Sequence, residues 1–292
     1  MNSNFWQKVR AKNSLMKPKT VEDWLKFASE KLIKAETSSA KLDAELILVK
    51  VLRTERTKLH SHPFRKLSRQ QIFHANNFLN KRAKRVPLAY IFNEKEFFGR
   101  SFYVDKNVLV PRPETENIIE IVKKIAKSGD TVLDVGTGSG IIPVTLKAEL
   151  GDEIEVLASD ISLPALAVAN LNSKKILNQE IELFESDLLD KIPEETLSKI
   201  TTITANLPYI DRDWIDFSKE NELHHEPEIA LYAEKNGLSL IKKLIQQTKK
   251  CPRIKFLILE ADPEQFEEIE LFAKEYGFSK KEIQDYTIVL SK

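Results

Sequence analysis

The chain has 292 residues, of which 42% are hydrophobic and 30% charged, with 45 Lys and Arg against 44 Asp and Glu. This composition excludes collagen-like, low-complexity and wholly disordered proteins, and the length favours two domains. Cys251 is the single cysteine, so no internal disulfide can form. No apolar run reaches the roughly 18 residues of a membrane helix, and the first residues lack a signal-peptide core. We therefore expect a cytoplasmic protein.

The near-neutral total conceals an uneven distribution of charge. Residues 1–85 carry a net charge of +13, whereas residues 86–292 carry −12. This asymmetry favours two units with different partners. The basic unit could face nucleic acid, the ribosome or an acidic protein, or it could be a lysine-rich solvated surface.

The first unit has a helical pattern. The segment Thr20–Asp23 resembles a capping box, and apolar residues then recur at helical spacing from Val21 to Leu32 and from Leu42 to Val51. A third helix is predicted over residues 68–84. Because no strand pattern occurs here, we expect a small helical bundle.

The pattern changes near Val86. The aromatic run Phe97–Val104 contains Gly99 and predicts a β-hairpin. Pro113, followed by Glu114, suits the start of a helix that we expect to reach about Lys127.

Strands and helices alternate through the rest of the chain. Strands are predicted over residues 131–135, 155–159, 181–186, 200–205, 256–260 and 282–290. Helices are predicted to end at about residues 150 and 170, and to span 238–247 and 264–276. This alternation predicts an α/β fold with a mostly parallel, doubly wound sheet.

A glycine-rich loop follows the first of these strands. It runs Asp134-Val135-Gly136-Thr137-Gly138-Ser139-Gly140, and its glycines allow a ligand to approach the backbone. Asp160, at the end of the next strand, could accept hydrogen bonds from both ribose hydroxyls of a nucleoside. Asp134 would repel a pyrophosphate but suits an ammonium group, which favours S-adenosylmethionine. Another nucleotide and a purely structural turn remain alternatives.

Two further segments end strands at the same predicted edge of the sheet, where open α/β sheets bind ligands. Asp187 could face an adenine amino group with Leu188 packed on the ring, or it could be a helix N-cap. Asn206-Leu207-Pro208-Tyr209 resembles the [D/N]-P-P-[Y/F/W] signature of methyltransferases that alkylate planar nitrogens of adenine, cytosine or glutamine.

The combined motifs resemble those of the release-factor glutamine methyltransferases (HemK/PrmC type). The similar segments agree in order and spacing over about residues 20–290. They are Val86–Ile91, Glu96–Gly99, Val108–Glu116, Asp134–Gly140, Asn206–Ile210, Glu226-Pro227 with Ala230-Leu231, and Gly237-Leu238. The element Pro111-Arg112-Pro113-Glu114-Thr115-Glu116 is the most specific, because it separates this family from general nitrogen methyltransferases.

The resemblance implies a fold and a domain division. The fold is a class I S-adenosylmethionine-dependent methyltransferase, Rossmann-like, with an N-terminal all-α bundle and a β-hairpin linker. The domains are 1–85 for substrate recognition, 86–112 as linker and 113–292 for catalysis. The implied cofactor-binding residues are Asp134, Gly136, Thr137, Gly138, Ser139, Gly140, Asp160, Asp187, Leu188 and Asn206.

The resemblance also implies a substrate, the glutamine of the Gly-Gly-Gln motif of bacterial peptide-chain release factors, and the residues that act on it. The side-chain oxygen of Asn206 and the backbone oxygen of Leu207 would hold the two N–H groups of the glutamine amide, and Tyr209 would pack on it beside Pro208. Arg112 and Glu114 would contact substrate, although Arg112 could instead pair with Glu114 or Glu116. We expect a monomer that needs no membrane, no metal and no direct nucleic-acid contact.

One departure from the family pattern concerns the chemistry. Family members usually have proline where this chain has Leu207, and the backbone oxygen survives that exchange while the fixed φ of proline does not. Three other activities therefore stay open at this point. They are methylation of a glutamine on a ribosomal protein, amino-methylation of adenine or cytosine in nucleic acid, and partner binding by a catalytically impaired homologue.

Overall fold

The computed structural model describes residues 18–214 and 222–292. The chain divides into two compact units, one ending at Phe92 and the other beginning at Asn93. Residues 1–17 of the predicted first domain lie outside the described residues, and the predicted segment 86–112 falls partly in each unit. In the part of the chain that is described, no helix is both long and apolar enough to span a bilayer.

The first unit is helical, as the apolar spacing predicts. Its helices are α1 (Val21–Lys34), α2 (Ala40–Leu52), α3 (Arg56–Ser61), α4 (Arg69–Arg82) and α5 (Leu88–Phe92). Capping boxes begin two of them, Thr20 with Asp23 at α1 and Ser68 with Gln71 at α4. The largest buried side chain is Trp24, whose indole N–H donates to Asn76 Oδ1 at 2.9 Å. The short helices α3 and α5 are not evident from the sequence pattern.

The second unit contains a hairpin, a sheet and flanking helices. The hairpin strands are β1 (Lys95–Phe97) and β2 (Arg100–Phe102), and the sheet strands are β3 (Thr131–Val135), β4 (Glu155–Asp160), β5 (Glu182–Glu185), β6 (Thr202–Ala205), β7 (Phe256–Glu260), β8 (Ser279–Gln284) and β9 (Thr287–Ser291). The helices are α6 (Glu116–Ile125), α7 (Ile141–Leu150), α8 (Leu163–Leu177), α9 (Glu194–Leu197), α10 (Ser239–Gln247) and α11 (Phe266–Lys274).

The sheet has seven strands in the order β5-β4-β3-β6-β7-β9-β8. The first five run parallel, and β9 is antiparallel to both of its neighbours. The chain therefore moves outward from β3 to β4 and β5, then returns to β6 on the other side of β3. This reversal of strand order places β3 at a topological switch point, where such sheets bind ligands.

Both faces of the central strands β3, β6 and β7 are buried, which explains their largely apolar sequences. Along β7, Leu257 and Leu259 join one core cluster while Ile258 joins the other. The hairpin contributes Phe97 and Phe102 to this second cluster, with their rings edge to face at 6.1 Å. The mostly parallel, doubly wound sheet and the hairpin are thus confirmed.

Two predicted elements are wrong in extent. The single strand predicted over residues 282–290 is a pair, β8 and β9, joined at Asp285, whose φ is +48°. The sequence signal for β8 is weak because β8 is an exposed edge strand that contains lysines. Lysines on an edge strand prevent it from pairing with other chains, but they also remove the apolar alternation that predicts a strand. Helix α8 continues past Asn170 to Leu177.

Candidate active site

The carboxyl ends of the parallel strands line a cavity of about 240 Å³. Most of the predicted site residues meet there. Those that line it are Arg112, Gly136, Thr137, Gly138, Ser139, Asp160, Asp187, Leu188, Asn206, Leu207 and Pro208. A second cavity of about 160 Å³ shares its wall at Asn206, Leu207 and Pro208, and is lined in addition by Tyr209 and Glu260. The described cavity walls do not include Asp134, Gly140 or Glu114.

Asp160 holds the glycine loop in place. Its carboxylate oxygens accept hydrogen bonds from the backbone N–H groups of Gly138, at 2.8 Å, and Ser162, at 2.9 Å. Burial raises the pKa of Asp160 above its ordinary value, although these backbone donors oppose the shift. The same side chain lines the cavity, so it both shapes the loop and faces a ligand.

Asp134 lies behind the cavity wall and is only 1% exposed. One carboxylate oxygen accepts a hydrogen bond from the Thr204 hydroxyl at 2.8 Å, while the other has no hydrogen-bond partner among the described residues. Burial raises the pKa of Asp134 to about 7, and the nearby charge of Asp160 adds to the shift. Direct contact of Asp134 with a cofactor stays a prediction.

Asp187 lies at the rim of the cavity and does not cap a helix. Its carboxylate accepts a hydrogen bond from Lys243 Nζ at 2.6 Å, and a turn follows it, with the next helix beginning only at Glu194. The N-cap alternative is therefore wrong. Leu188 has φ = +54° and lines the cavity, so that its apolar side chain is available to pack against a flat ring.

Asn206 projects from the end of β6 with its amide group held on one side. Its Nδ2 donates to Thr115 Oγ1 at 3.1 Å and to Glu260 Oε1 at 2.8 Å. Both N–H groups are thus engaged by protein acceptors. The side-chain oxygen accepts no hydrogen bond from the described residues, and Asn206 lines both cavities.

The backbone after Asn206 is fastened at several points. The Tyr209 carbonyl accepts a hydrogen bond from Gln265 Nε2 at 3.0 Å, and Ile210 pairs in parallel with Tyr232. Gly237 has φ = +78°, and a Cβ at that position would lie 1.9 Å from the Tyr209 carbonyl oxygen. A glycine is therefore required for the two segments to approach this closely.

The partner of Arg112 is Glu226. Arg112 Nη2 lies 2.6 Å from Glu226 Oε1, and the other carboxylate oxygen accepts the Val110 N–H at 2.9 Å. The alternative in which Arg112 pairs with Glu114 or Glu116 is wrong, because Glu114 is exposed and Glu116 accepts the Phe98 N–H at 2.8 Å.

Three further functional candidates are absent from the predicted site residues, although Thr115 and Glu226 lie in segments that resemble the family. Thr115 and Glu260 hold the Asn206 amide, and Glu226 orients Arg112. For Glu260 the available signal is its position at the end of a predicted strand. The structure places that strand, β7, beside β6, so Glu260 and Asn206 lie at the same edge of the sheet.

The lining of the larger cavity fits S-adenosylmethionine. Among the described residues, its charged lining consists of two carboxylates, Asp160 and Asp187, and one guanidinium, Arg112. A pyrophosphate at the glycine loop would face Asp160, whereas a ribose diol and an ammonium group are complementary to carboxylates. Apolar side chains such as Leu188 and Leu240 cover the remaining wall.

Comparison with known proteins agrees with the fold. The PrmC N-terminal domain model matches residues 23–92, and the methyltransferase small domain model matches residues 115–229. The solved catalytic domain of hMettl16, bound to MAT2A 3'UTR hairpin 6, aligns with a TM-score of 0.51 at 18% identity over 73% of this chain and 81% of that chain. This likeness concerns the fold alone. The fold and the site thus define a class I S-adenosylmethionine-dependent methyltransferase.

Curated relatives narrow the assignment. A release factor glutamine methyltransferase from Leptospira interrogans is 39% identical over 79% of this chain and 81% of its own length. One from Bacillus anthracis is 34% identical over 78% and 80%, respectively. The chain belongs to the release factor glutamine methyltransferase family.

Proposed function

We propose that this enzyme transfers a methyl group from S-adenosylmethionine to the side-chain amide nitrogen, N5, of the glutamine in the Gly-Gly-Gln motif of peptide-chain release factors, and so modulates translation termination. The observation that carries the proposal is the held carboxamide of Asn206, at the wall shared by two cavities. Its N–H groups are occupied, and within residues 18–214 and 222–292 no donor binds its oxygen. A free acceptor at that point suits an amide N–H donor.

The chemistry requires help because an amide nitrogen is a poor nucleophile, with its lone pair delocalised into the carbonyl. Asn206 Oδ1 accepts one N–H of the substrate amide, and the backbone oxygen of Leu207 accepts the other. Both contacts strengthen as positive charge develops on the nitrogen. Tyr209 and Pro208 exclude water beside the flat amide, and alignment of the nitrogen supplies much of the acceleration. The proton leaves after the methyl group has been transferred.

The larger cavity holds the cofactor, which supplies a methyl group on a sulfonium. Asp160 would accept hydrogen bonds from the ribose hydroxyls, and the backbone of Gly136–Ser139, which lines this cavity, would lie against the ligand. Asp187 and Leu188 contact the adenine end. Arg112, oriented by Glu226, reaches the substrate from the other side of Asn206.

Leu207 is compatible with this role. Its backbone carbonyl takes the place of the proline carbonyl usual in the family, and its buried side chain anchors the segment in the core beside β6. Burial thus replaces the restriction that proline would impose on φ.

The N-terminal unit recognises the release factor in this proposal. The net charge of +13 on residues 1–85 suits an acidic protein surface, and this charge together with the family match over residues 23–92 supports the assignment. A cytoplasmic monomer acting without nucleic acid is consistent with a substrate that is itself a soluble protein.

A labelling experiment tests the proposal. The enzyme is incubated with methyl-labelled S-adenosylmethionine and, separately, release factor, release factor with its Gly-Gly-Gln glutamine changed to alanine, ribosomes, or DNA. We expect label in the unaltered release factor only. Label in ribosomal protein or in nucleic acid alone would reject the proposal, and cofactor binding without transfer to any of them would identify an impaired homologue.

Asn206→Ala provides the matching prediction. The substitution removes the acceptor for the substrate amide, so we expect turnover to fall by about 10²-fold or more while cofactor affinity changes little. Calorimetric titration with S-adenosylmethionine and the labelling assay measure the two quantities. Turnover equal to that of the unaltered enzyme would contradict the role of Asn206.

A further inference from the structure

We propose that Glu260 is a positioning residue that selects one of the two orientations of the Asn206 carboxamide, so that the oxygen and not the NH2 group faces the methyl acceptor. This inference rests on the proposed function, because it explains how the acceptor for the substrate amide is kept in place. It concerns a residue that follows neither from the glycine loop nor from the Asn206–Tyr209 motif.

The geometry shows the selection directly. Glu260 is the last residue of β7, beside β6, and is 1% exposed. Its Oε1 accepts the Asn206 Nδ2 hydrogen bond at 2.8 Å, and Thr115 Oγ1 accepts a second at 3.1 Å. The two contacts come from separate parts of the chain and converge on one NH2 group.

Thr115 and Glu260 differ in which orientation of the Asn206 carboxamide they permit. A threonine hydroxyl both donates and accepts, so it would tolerate either the NH2 group or the oxygen of Asn206. An ionised carboxylate accepts only, so it excludes the oxygen. Of the two, only Glu260 therefore discriminates between the orientations, and Thr115 follows its choice.

The orientation matters because the substrate amide also presents N–H groups. If the Asn206 carboxamide turned over, its NH2 group would face the substrate NH2 group, and two donors would meet without an acceptor. The wrong orientation thus leaves donors without an acceptor, which is unfavourable away from water. A turned Asn206 carboxamide therefore loses the hydrogen bond to the substrate amide but leaves the cofactor cavity unchanged.

Protonation of Glu260 weakens the selection, because a carboxylic acid can donate as well as accept. Burial raises the pKa of Glu260 to about 7, and the charge of Glu114 acts in the same direction, whereas Thr115, Asn206 and Arg112 lower it. Tyr209 also faces this carboxyl, and Tyr286 and Asp262 lie near the Tyr209 phenol. Thr287 is the residue opposite Glu260 on β9. Turnover should therefore fall as the pH is lowered through the pKa of Glu260.

Four variants separate positioning from structural support. In Glu260→Leu the acceptor is lost, and we expect kcat to fall by about 10²-fold with little change in the KM for cofactor. Glu260→Gln can accept or donate, so we expect partial activity without the acid-side decline of kcat. Thr115→Val should lose less activity and keep that decline. Glu267→Gln, an exposed carboxylate on α11, is the control for charge removal.

A spectroscopic readout makes the inference independent of turnover. In asparagine labelled with ¹⁵N at the side chain, the Asn206 NH2 signals, assigned by their loss in Asn206→Ala, should be protected from solvent exchange in the unaltered enzyme and in Glu267→Gln. Protection should be lost in Glu260→Leu. If the enzyme transfers no methyl group to release factor but this protection pattern holds, the proposed function fails and the orientation role survives.

Two results would contradict the proposed role of Glu260. Retained protection of the Asn206 amide in Glu260→Leu would show that Glu260 does not orient it. An unchanged pH dependence of kcat in Glu260→Gln, with folding intact by circular dichroism, would show that another group causes the acid-side decline.

Discussion

Gly136 and Gly138 are alike in backbone conformation but differ in their surroundings. Their φ angles are +73° and +54°, in the region that other residues rarely adopt. A Cβ on Gly136 would lie 2.8 Å from Leu207 Cδ2, whereas one on Gly138 would meet nothing within 4 Å. Leu207 therefore fills the space that this glycine leaves. The contact joins the glycine loop to the segment that we propose holds the substrate amide.

The contact between Gly136 and Leu207 predicts that alanine at Gly136 and alanine at Gly138 will lower the free energy of unfolding by different amounts. Both Gly136→Ala and Gly138→Ala strain the backbone, but only the first forces the buried Leu207 side chain to move. We expect Gly136→Ala to lower the free energy of unfolding by about 1–3 kcal/mol more than Gly138→Ala, as measured by urea denaturation. In a Leu207→Ala background this difference should vanish. A difference that persisted there would assign the cost to the backbone alone.

At the scale of elements, Asn172 of α8 joins the glycine loop to the end of the hairpin. Its Oδ1 accepts the Tyr103 N–H at 2.7 Å, and its Nδ2 donates to the carbonyl oxygens of Tyr103 and Ser139, both at 2.9 Å. The side chain is fully buried. One residue thus satisfies three backbone groups in two segments without regular structure.

Asn172→Ala should therefore destabilise the catalytic unit and loosen the loop at Ser139. We expect a loss of about 2–5 kcal/mol in the free energy of unfolding, because three buried polar groups lose their partner, together with weaker S-adenosylmethionine binding. Asn170→Ala, on the same helix, is the control, because the Asn170 side-chain oxygen has no hydrogen-bond partner among the described residues. Equal losses in the two variants would argue against the connecting role.

At the scale of the whole molecule, a buried acid beneath the cofactor cavity links stability to pH. The pKa of Asp134 is about 7 in the folded chain, against an ordinary value of 3.8, chiefly because of burial. Between these values the folded chain keeps a proton that the unfolded chain releases. Raising the pH through this interval therefore favours unfolding, and the stability contribution of Asp134 is lost as it ionises.

Asp134→Asn tests this linkage, because the amide cannot ionise and can still accept the hydrogen bond from Thr204. We expect the unaltered enzyme to lose more stability than the variant between about pH 5 and about pH 8, measured as the midpoint of urea unfolding. Parallel pH profiles for the two proteins would show that Asp134 titrates normally.

The sequence pattern predicts the architecture well where both faces of an element are buried. Strands β3 and β7 have the predicted bounds because each is a short apolar run between turn residues. Strand β8 is predicted only in part because its side chains are mostly exposed and its first half carries two lysines. Local pattern therefore reports burial, and it fails where an element is held by pairing alone.

The same distinction applies to the site. The sequence by itself determined the family, the alternating fold, the glycine loop and the Asn206–Tyr209 segment, because each is a run of neighbouring residues with a recognisable spacing. Only the tertiary structure decided that Arg112 pairs with Glu226, that Asp134 lies behind the cavity wall, and that Thr115 and Glu260 hold the Asn206 amide. These contacts join residues 54 to 114 positions apart. These residues meet because the ends of different strands converge in the fold, and no local periodicity in the sequence indicates which strand ends converge.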